Sequence, residues 1–476
     1  MALALFRCDA SPAIGAGHVM RCLATAETLA WASWDVGFMS AQGTRETAPA
    51  LARTGFEVRD SESSAMGADV IVFDHYGLDA TAEHRIAGSV PLRIAFDDIP
   101  VRSHDVDLLV DPTPGRAADA YSALTRADTQ LLAGASYAQL RRSWQAARAA
   151  ALKARTGKAS RILVSMGATD PTNATAKVLA ALASLGRKLE IDVVLGPGAP
   201  HRIAVNEMVG ALGRLHIDPA DLPRLVAEAD LAIGAAGSSC FERACLGLPA
   251  IIVVLADNQV DLARAFAAAG AARAVPHSAL DDPAELARVI ADLLDDGDAR
   301  DRMSECAAAL VDGRGPQRLL MRFAGECAAA AGRVRLRAAE PGDQDWLLDL
   351  QSRPETRRFA RTSRIPTASE HAAWMDRTLS DPDRLLALID FNDVPAGVIR
   401  LDRLSQDKPA FEVSIAIAPE RHGRGIGAAA LTLVRNLVPK ADLVATVLAG
   451  NQASQLLFER AGYRREAEGR FRSVIA

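Results

Sequence analysis

The densest chemical grouping in the chain follows its first apolar run. Arg7, Asp9 and Ser11 lead into Ile14-Gly15-x-Gly17-His18-x-x-Arg21. Gly15 and Gly17 let the backbone turn tightly and approach a ligand closely. His18 then opens a helical pattern, and the positive end of a helix disfavours an imidazolium. A neutral imidazole beside a cleft accepts a proton from water. Asp9 lies near enough in sequence to orient that ring. Taken alone, the same glycines could simply shape a turn that His18 caps. A second grouping lies far downstream: Arg421-His422-Gly423-Arg424-Gly425-Ile426-Gly427, between an apolar strand pattern and a helix pattern. Glycines there point backbone N–H groups at a pyrophosphate, with a helix start behind them. A dinucleotide site of the NAD type would place an acidic residue at the end of the next strand. That strand ends Val447-Leu448-Ala449-Gly450-Asn451, so NAD is disfavoured.

The elements that must carry these groups read as two kinds. Through residue 135, unalternating apolar runs (LALFRC, WDVGFMS, VIVFDHY, LRIAFDD, LLVDP) are separated by helical patterns such as 18–32, as in a buried parallel sheet. Residues 137–156 read as a polar helix and connector, after which the pattern restarts at RILVSMGATD and continues through LEIDVVLGPG, LHIDP, DLAIGAAGSS, PAIIVVLAD and ARAVPH. Two α/β halves of similar size follow from this, with ligands expected outside the carboxyl ends of the strands. Residues 283–331 read as helical. Near 333 the character changes to a mixed α+β pattern, with a hairpin turning at about Asn392–Pro395. The expected domains are 1–136, 137–332 and 333–476.

Bulk properties exclude several classes. The 476 residues carry a net charge of −5 with scattered basic groups, which argues against a nucleic-acid partner. The six cysteines form no C-x-x-C pair and read as buried free thiols; neither a zinc site nor a disulfide framework is expected. No signal-peptide pattern or long apolar run occurs, so a cytoplasmic protein without membrane contact is expected.

The N-terminal string FRCDASPAIGAGHVMR resembles the UDP-sugar hydrolases of the pseudaminic acid pathway, which cleave a UDP-2,4-diacetamido-2,4,6-trideoxy-altrose. Five further segments keep the family's order: VIVFDHYGLD (Asp74, His75, Tyr76), IAFDD (Asp97, Asp98), GASYAQLR, SMGATDPTN (Gly167, Asp170, Asn173) and GAAGSSCFERACLGLPAIIVVLADNQ. The resemblance covers about 1–330 and implies the two-Rossmann architecture of GT-B glycosyltransferases. It implies His18 as general base, Asp9 as its support and Tyr76 in the sugar pocket, with Arg7, Ser11 and Gly17 beside them. It also implies a UDP site at the turn Gly237–Ser238–Ser239, where free helix N–H groups suit a diphosphate. Glu242 would take ribose hydroxyls, with Asn258 and Gln259 on the UDP side. For Glu242 and Asn258 the alternatives are a solvated carboxylate and a helix N-cap. Asp97 and Asp98 read as structural turn residues. No metal is expected; a helix dipole can stand in for one.

The C-terminal loop resembles the acetyl-CoA loop of GNAT acetyltransferases, and NQASQLLFERAGY resembles the motif that follows it. SEHAAWM, with His371 and Trp374, resembles the acetyltransferases of the same pathway. The likeness covers about 333–470 and implies acetyl-CoA as co-substrate, held by Gly423, Arg424, Gly425, Ile426, Gly427, Ala428 and Asn451. Two departures matter. His422 replaces the usual Arg or Gln, and Phe458 stands where a Tyr often protonates the departing thiolate. The expected whole is a UDP-amino-sugar hydrolase, inverting at C1, fused to an N-acetyltransferase for the sugar's 4-amino group. The alternatives are a GT-B glycosyltransferase, and a GNAT domain with another acceptor or a regulatory role.

Overall fold

The computed structural model describes residues 2–155, 159–330 and 332–473. The chain divides into two compact units. One gathers Leu3–Ala26 and Val36–Pro316; the other gathers Glu27–Asp35 and Gln317–Ala476.

The first unit contains two parallel sheets. The first sheet has seven strands: β1 (Leu3–Cys8), β2 (Asp35–Ser40), β3 (Glu57–Asp60), β4 (Val70–Asp74), β5 (Leu92–Phe96), β6 (Leu108–Asp111) and β7 (Gln130–Ala133), in the order β3-β2-β1-β4-β5-β6-β7. The second has six: β8 (Arg161–Ser165), β9 (Glu190–Leu195), β10 (Gly213–Ile217), β11 (Leu231–Ala235), β12 (Ala250–Val253) and β13 (Arg273–Val275), in the order β10-β9-β8-β11-β12-β13. Both are the doubly wound Rossmann order, in which the direction of winding reverses between the first and fourth strands. Those two reversal points, β1/β4 and β8/β11, are where crevices open.

The apolar runs form these strands because both faces of each sheet are covered. Along β8, Ile162 and Val164 pack into one core cluster and Leu163 into another, the two-residue alternation of a strand buried on both sides. Each such side chain contributes about 1.5–3 kcal/mol by its burial. The helix α1 (Gly17–Trp31) follows β1 and is covered nearly all round, burying Val19, Cys22, Leu23 and Ala26 as well as Ala24, Thr25 and Leu29.

The second unit holds one eight-stranded sheet of mixed direction. Its strands are β14 (Glu326–Ala329), β15 (Gly332–Ala338), β16 (Arg384–Phe391), β17 (Val394–Arg403), β18 (Ala410–Ile417), β19 (Asp442–Thr446), β20 (Arg464–Ala467) and β21 (Arg470–Ser473), in the order β14-β15-β16-β17-β18-β19-β21-β20. Asn392 and Asp393 both take positive φ, 51° and 64°, as the tight turn between β16 and β17 requires. The expectation of helix through 331 fails at its end, where β14 pairs with β15. β18 and β19 run parallel but pair only from Ala410/Asp442 to Glu412/Val444. Beyond that no further pairing joins the two strands among the described residues, and Val413–Ile417 pair only with β17.

Four cysteines are buried free thiols as expected, but Cys306 is exposed and Cys327 half-buried. Among the described residues, no helix is long and apolar enough to cross a membrane.

Candidate active sites

His18 is the second residue of α1 and only 7% exposed. Its ring does not rest on Asp9. His18 Nδ1 lies 2.6 Å from Oδ1 of Asp74, the last residue of β4. The reason is topological: β1 and β4 are hydrogen-bonded neighbours, with Cys8 opposite Asp74, so the start of α1 and the end of β4 meet at the first reversal point. Asp74 is fully buried and accepts from three other donors, Arg21 Nε (2.7 Å), Arg21 Nη2 (2.6 Å) and Cys22 Sγ (3.8 Å). Burial works against its charge, but the Arg21 guanidinium and the His18 ring outweigh that and hold its carboxyl below the usual range. An ionised Asp74 can only accept, so His18 Nδ1 donates, and in the neutral form of the ring the lone pair is on Nε2.

Asp9 has its own work. It accepts from Ala41 N (2.7 Å), pairs with Arg7 Nη1 (2.8 Å) and meets His75 Nε2 at 3.3 Å. Burial raises its carboxyl, and these bonds more than offset it, leaving Asp9 far below the ordinary carboxylate range. His75 Nδ1 accepts from Gly77 N at 3.0 Å, so its Nε2 holds the proton and donates to Asp9. A side chain at 77 would run into that ring: a Cβ there would lie 2.9 Å from His75 Cε1. Ser11 builds the glycine turn, its carbonyl accepting from Gly15 N and its hydroxyl from Ile14 N.

Tyr76 stands edge-on to His18, ring centroids 4.5 Å apart. Its hydroxyl donates to Asp98 Oδ1 at 2.6 Å, and burial together with the Asp98 charge pushes its ionisation far above the usual value. Asp98 Oδ2 also meets Arg21 Nη1 at 3.3 Å. Asp98 is therefore part of this constellation, not a mere turn residue. Arg21 was in the motif without a role; its position three residues after His18, on the same helix face, was the available signal.

The second reversal point faces the first. A Cβ on Gly17 would sit 3.7 Å from Ser238 Oγ, in the turn after β11. Cys240 N and Phe241 N bond back to the carbonyls of Gly237 and Ser238, while the amides of Ser238 and Ser239 find no backbone partner among the described residues. Beneath this turn runs Arg243, a buried guanidinium that sequence reading passed over. It donates to Ser239 Oγ and Ala235 O, both at 3.0 Å. Gly234 leaves it room: a Cβ there would be 2.5 Å from Arg243 Nη1. Glu242 is half-buried; burial raises its carboxyl to about 7 against the pull of Arg243 and Arg141. Asn258 is exposed in the short turn Asp257–Gln259 and caps no helix, and Gln259 is occupied by Leu255 N at 2.9 Å. Among the described residues no group of three or more His, Cys, Asp or Glu is arranged to hold a metal ion.

In the second unit, Gly423 and Gly425 take positive φ, 73° and 77°, and Gly425 is the N-cap of the helix Ile426–Leu437 that contains Gly427 and Ala428. Gly427 lies under Leu457, which a Cβ would approach to 3.1 Å. His422 turns its ring back, Nε2 donating to Ile417 O at 3.0 Å, so its side chain braces the loop's entry. The Asn451 side chain caps the helix Gln452–Arg460, its Oδ1 accepting from Ser454 N at 3.1 Å. Phe458 is core, packed edge-on against Tyr463 at 5.0 Å.

Comparison with known proteins agrees with this division. The family model of the glycosyltransferase family 28 C-terminal domain matches residues 176–314, and that of the acetyltransferase (GNAT) domain matches 333–464. The chain thus carries a glycosyltransferase-like domain over 176–314 and a GNAT acetyltransferase domain over 333–464. An uncharacterized protein of Methanocaldococcus jannaschii is 23% identical over 97% of this chain and 96% of its own length. The spore coat polysaccharide biosynthesis protein SpsG of Bacillus subtilis is 27% identical over 47% of this chain and 66% of its own. Among solved structures, Acinetobacter baumannii MurG matches at 16% identity over 67% of this chain and 97% of its own, with a TM-score of 0.49. Mycobacterium smegmatis RimJ in complex with CoA-disulfide matches at 18% identity over 30% of this chain and 76% of its own, with a TM-score of 0.28.

Proposed function

We propose that residues 1–332 hydrolyse a UDP-linked amino sugar and that the GNAT domain acetylates an amino sugar of the same pathway, with acetyl-CoA as donor. The observation that carries the hydrolase reading is the His18–Asp74 pair, whose tautomer leaves Nε2 as a base at the mouth of a cleft whose other wall is the Ser238 turn. The water oxygen attacks C1 of the sugar from the face opposite the diphosphate. Its proton goes to His18 Nε2, the C1–O bond breaks, and UDP leaves with the bonding electrons, so C1 inverts. Asp74 stabilises the imidazolium without taking its proton. The Ser238 and Ser239 amides, with Arg243 beneath, meet the charge that grows on the leaving diphosphate.

The resemblance of the six N-terminal segments makes UDP-2,4-diacetamido-2,4,6-trideoxy-β-L-altropyranose the substrate of choice, and a cytoplasmic step of pseudaminic acid synthesis its setting. Acetylation of the 4-amino group would precede hydrolysis, and one chain carrying both steps raises the local concentration of the intermediate. In the GNAT domain, the end of β18 beyond its pairing with β19 and the Gly423–Gly427 loop suit the pantetheine arm and pyrophosphate of acetyl-CoA. A transfer to an acceptor sugar is the second reading, favoured by the glycosyltransferase match over 176–314. Proton NMR of the protein with the UDP-sugar, without acceptor, separates the two. Free sugar and UDP from the native protein, and not from His18→Ala, support hydrolysis. Intact substrate, or equal rates in both proteins, overturns it.

A further inference from the structure

Behind Tyr76 lies a buried charge cluster that none of these steps uses. His104 is almost fully buried, with Nδ1 2.7 Å from Glu83 Oε1 and Nε2 2.9 Å from Asp97 Oδ2. Both acceptors are carboxylates, so both nitrogens carry protons and the ring is an imidazolium. Burial opposes that charge, but the bonds to Asp97 and Glu83 outweigh it and raise the ring to about 9. The other oxygen of Asp97 accepts from Arg102 Nη2 at 2.9 Å and from Ile99 N at 3.1 Å. Arg102 then reaches forward: its Nη1 donates to the carbonyls of His75 (2.8 Å) and Leu78 (2.9 Å), and its guanidinium lies 5.5 Å from the centroid of the Tyr76 ring. Tyr76 is thus held between Arg102 and the edge-on His18 ring.

Two carboxylates, one imidazolium and one guanidinium balance in charge. Apolar residues of similar volume often serve stability as well as buried ion pairs do, because desolvating charges is costly. What apolar residues could not do is reach the two carbonyls of the turn that carries Tyr76. We infer that Arg102, held in place by Asp97 and His104, is the positioning residue that fixes Tyr76 against His18. This inference rests on the reading of His18 as the base.

The test compares native protein, Arg102→Met and Arg102→Lys. Methionine keeps the stem and loses every donor; lysine keeps one charge that serves Asp97 or the carbonyls but not both. Initial rates of UDP release give kcat and KM, UDP inhibition reports the other wall of the cleft, and thermal melting reports folding. Arg102→Met is expected to lower kcat on the order of 10²-fold, as for a misplacement of about 1 Å, with KM and UDP inhibition within about twofold of native and lysine in between. Unchanged kcat overturns the inference, as does a fall in kcat that merely follows the melting temperature. A second readout does not need turnover. In protein labelled with ¹⁵N-histidine, the His18 ring resonances are expected to move in both variants. If they stay put, Tyr76 positioning is overturned. If they move while native protein releases no UDP, the positioning stands and the hydrolase reading falls.

Discussion

Asp74→Asn is the sharpest test of the N-terminal site. Asp74 Oδ1 takes His18 Nδ1 and Arg21 Nη2, and Oδ2 takes Arg21 Nε and Cys22 Sγ. An amide of the same size has one acceptor for two arginine donors that cannot reverse. His18 can reverse: facing an amide N–H it would accept at Nδ1 and carry its proton on Nε2, where the base is needed. The expected loss in kcat is on the order of 10²–10⁴-fold, the usual worth of a general base, with little change in KM. Breaking a buried ion pair costs about 3–5 kcal/mol. Asp98, 3.3 Å from Arg21, remains to compensate, so the lower end of that range applies. Asp9→Asn is the control, because Asp9 touches Arg7, His75 and Ala41 but not His18; its kcat is expected to fall less than about tenfold, since no proton-transfer partner is lost. Initial rates of UDP release and melting curves for the two variants decide it. Asp74→Asn retaining a third of native kcat while folded, or Asp9→Asn proving the worse, would refute the dyad.

Three further outcomes are expected. The His104 ring, raised from 6.5 to about 9, stabilises the fold fully below pH 6.5, and that contribution of about 3 kcal/mol is lost as pH rises through about 9; denaturant titrations should therefore show native protein and His104→Asn converging between pH 7 and 10, and a constant gap would refute it. Glu242, raised to about 7, gains charge as pH rises from 6 to 8; if its carboxylate accepts ribose hydroxyls, UDP affinity by calorimetry should strengthen over that range in native protein more than in Glu242→Gln, and parallel curves would count against the contact. Phe458→Tyr should lower the melting temperature and leave the rate of CoA thiol release unimproved, because the ring is packed against Tyr463 in the core; a tenfold gain in thiol release would place an acid at that position after all.

The strands that the sequence revealed are those buried on both faces, where Val, Ile and Leu run unbroken, as in VIVFD and AIIV. The strands it hid are polar ones at or near sheet edges. β3 (EVRD) and β20 (RREA) are largely exposed and carry no apolar signature, and β14 (ECAA) sits where an Ala-rich stretch reads as helix. The site divides the same way. The glycine turn and His18 were legible because both lie in one short segment that follows a strand. The partner of His18 was not: Asp74 is 56 residues away, and only the pairing of β1 with β4 brings it to the ring. Asp9, in the same short motif, was the natural choice, yet it follows directly after β1 with its carboxylate drawn to Ala41 N beside β2. Arg243 was hidden for a related reason. A single arginine in a helix looks solvated, and only the missing side chain of Gly234 lets it run under the turn.

The charges around His18 also bear as a unit on the chemistry proposed for it. Its immediate shell holds two carboxylates, Asp74 and Asp98, against one guanidinium, Arg21. Arg7 and Asp9 cancel each other, and so does the cluster of Glu83, Asp97, Arg102 and His104. The shell therefore has one negative charge in excess, and the proton His18 takes from water in the proposed reaction brings it to neutrality. Asp74, with four donors on its two oxygens, is saturated and has no site to take that proton onward. The proton must leave from Nε2 to solvent once UDP and the sugar have gone. This arrangement assigns the arginine a definite purpose: it keeps Asp74 ionised and turned toward the ring, and without it burial would favour a protonated carboxyl over one that holds the His18 ring.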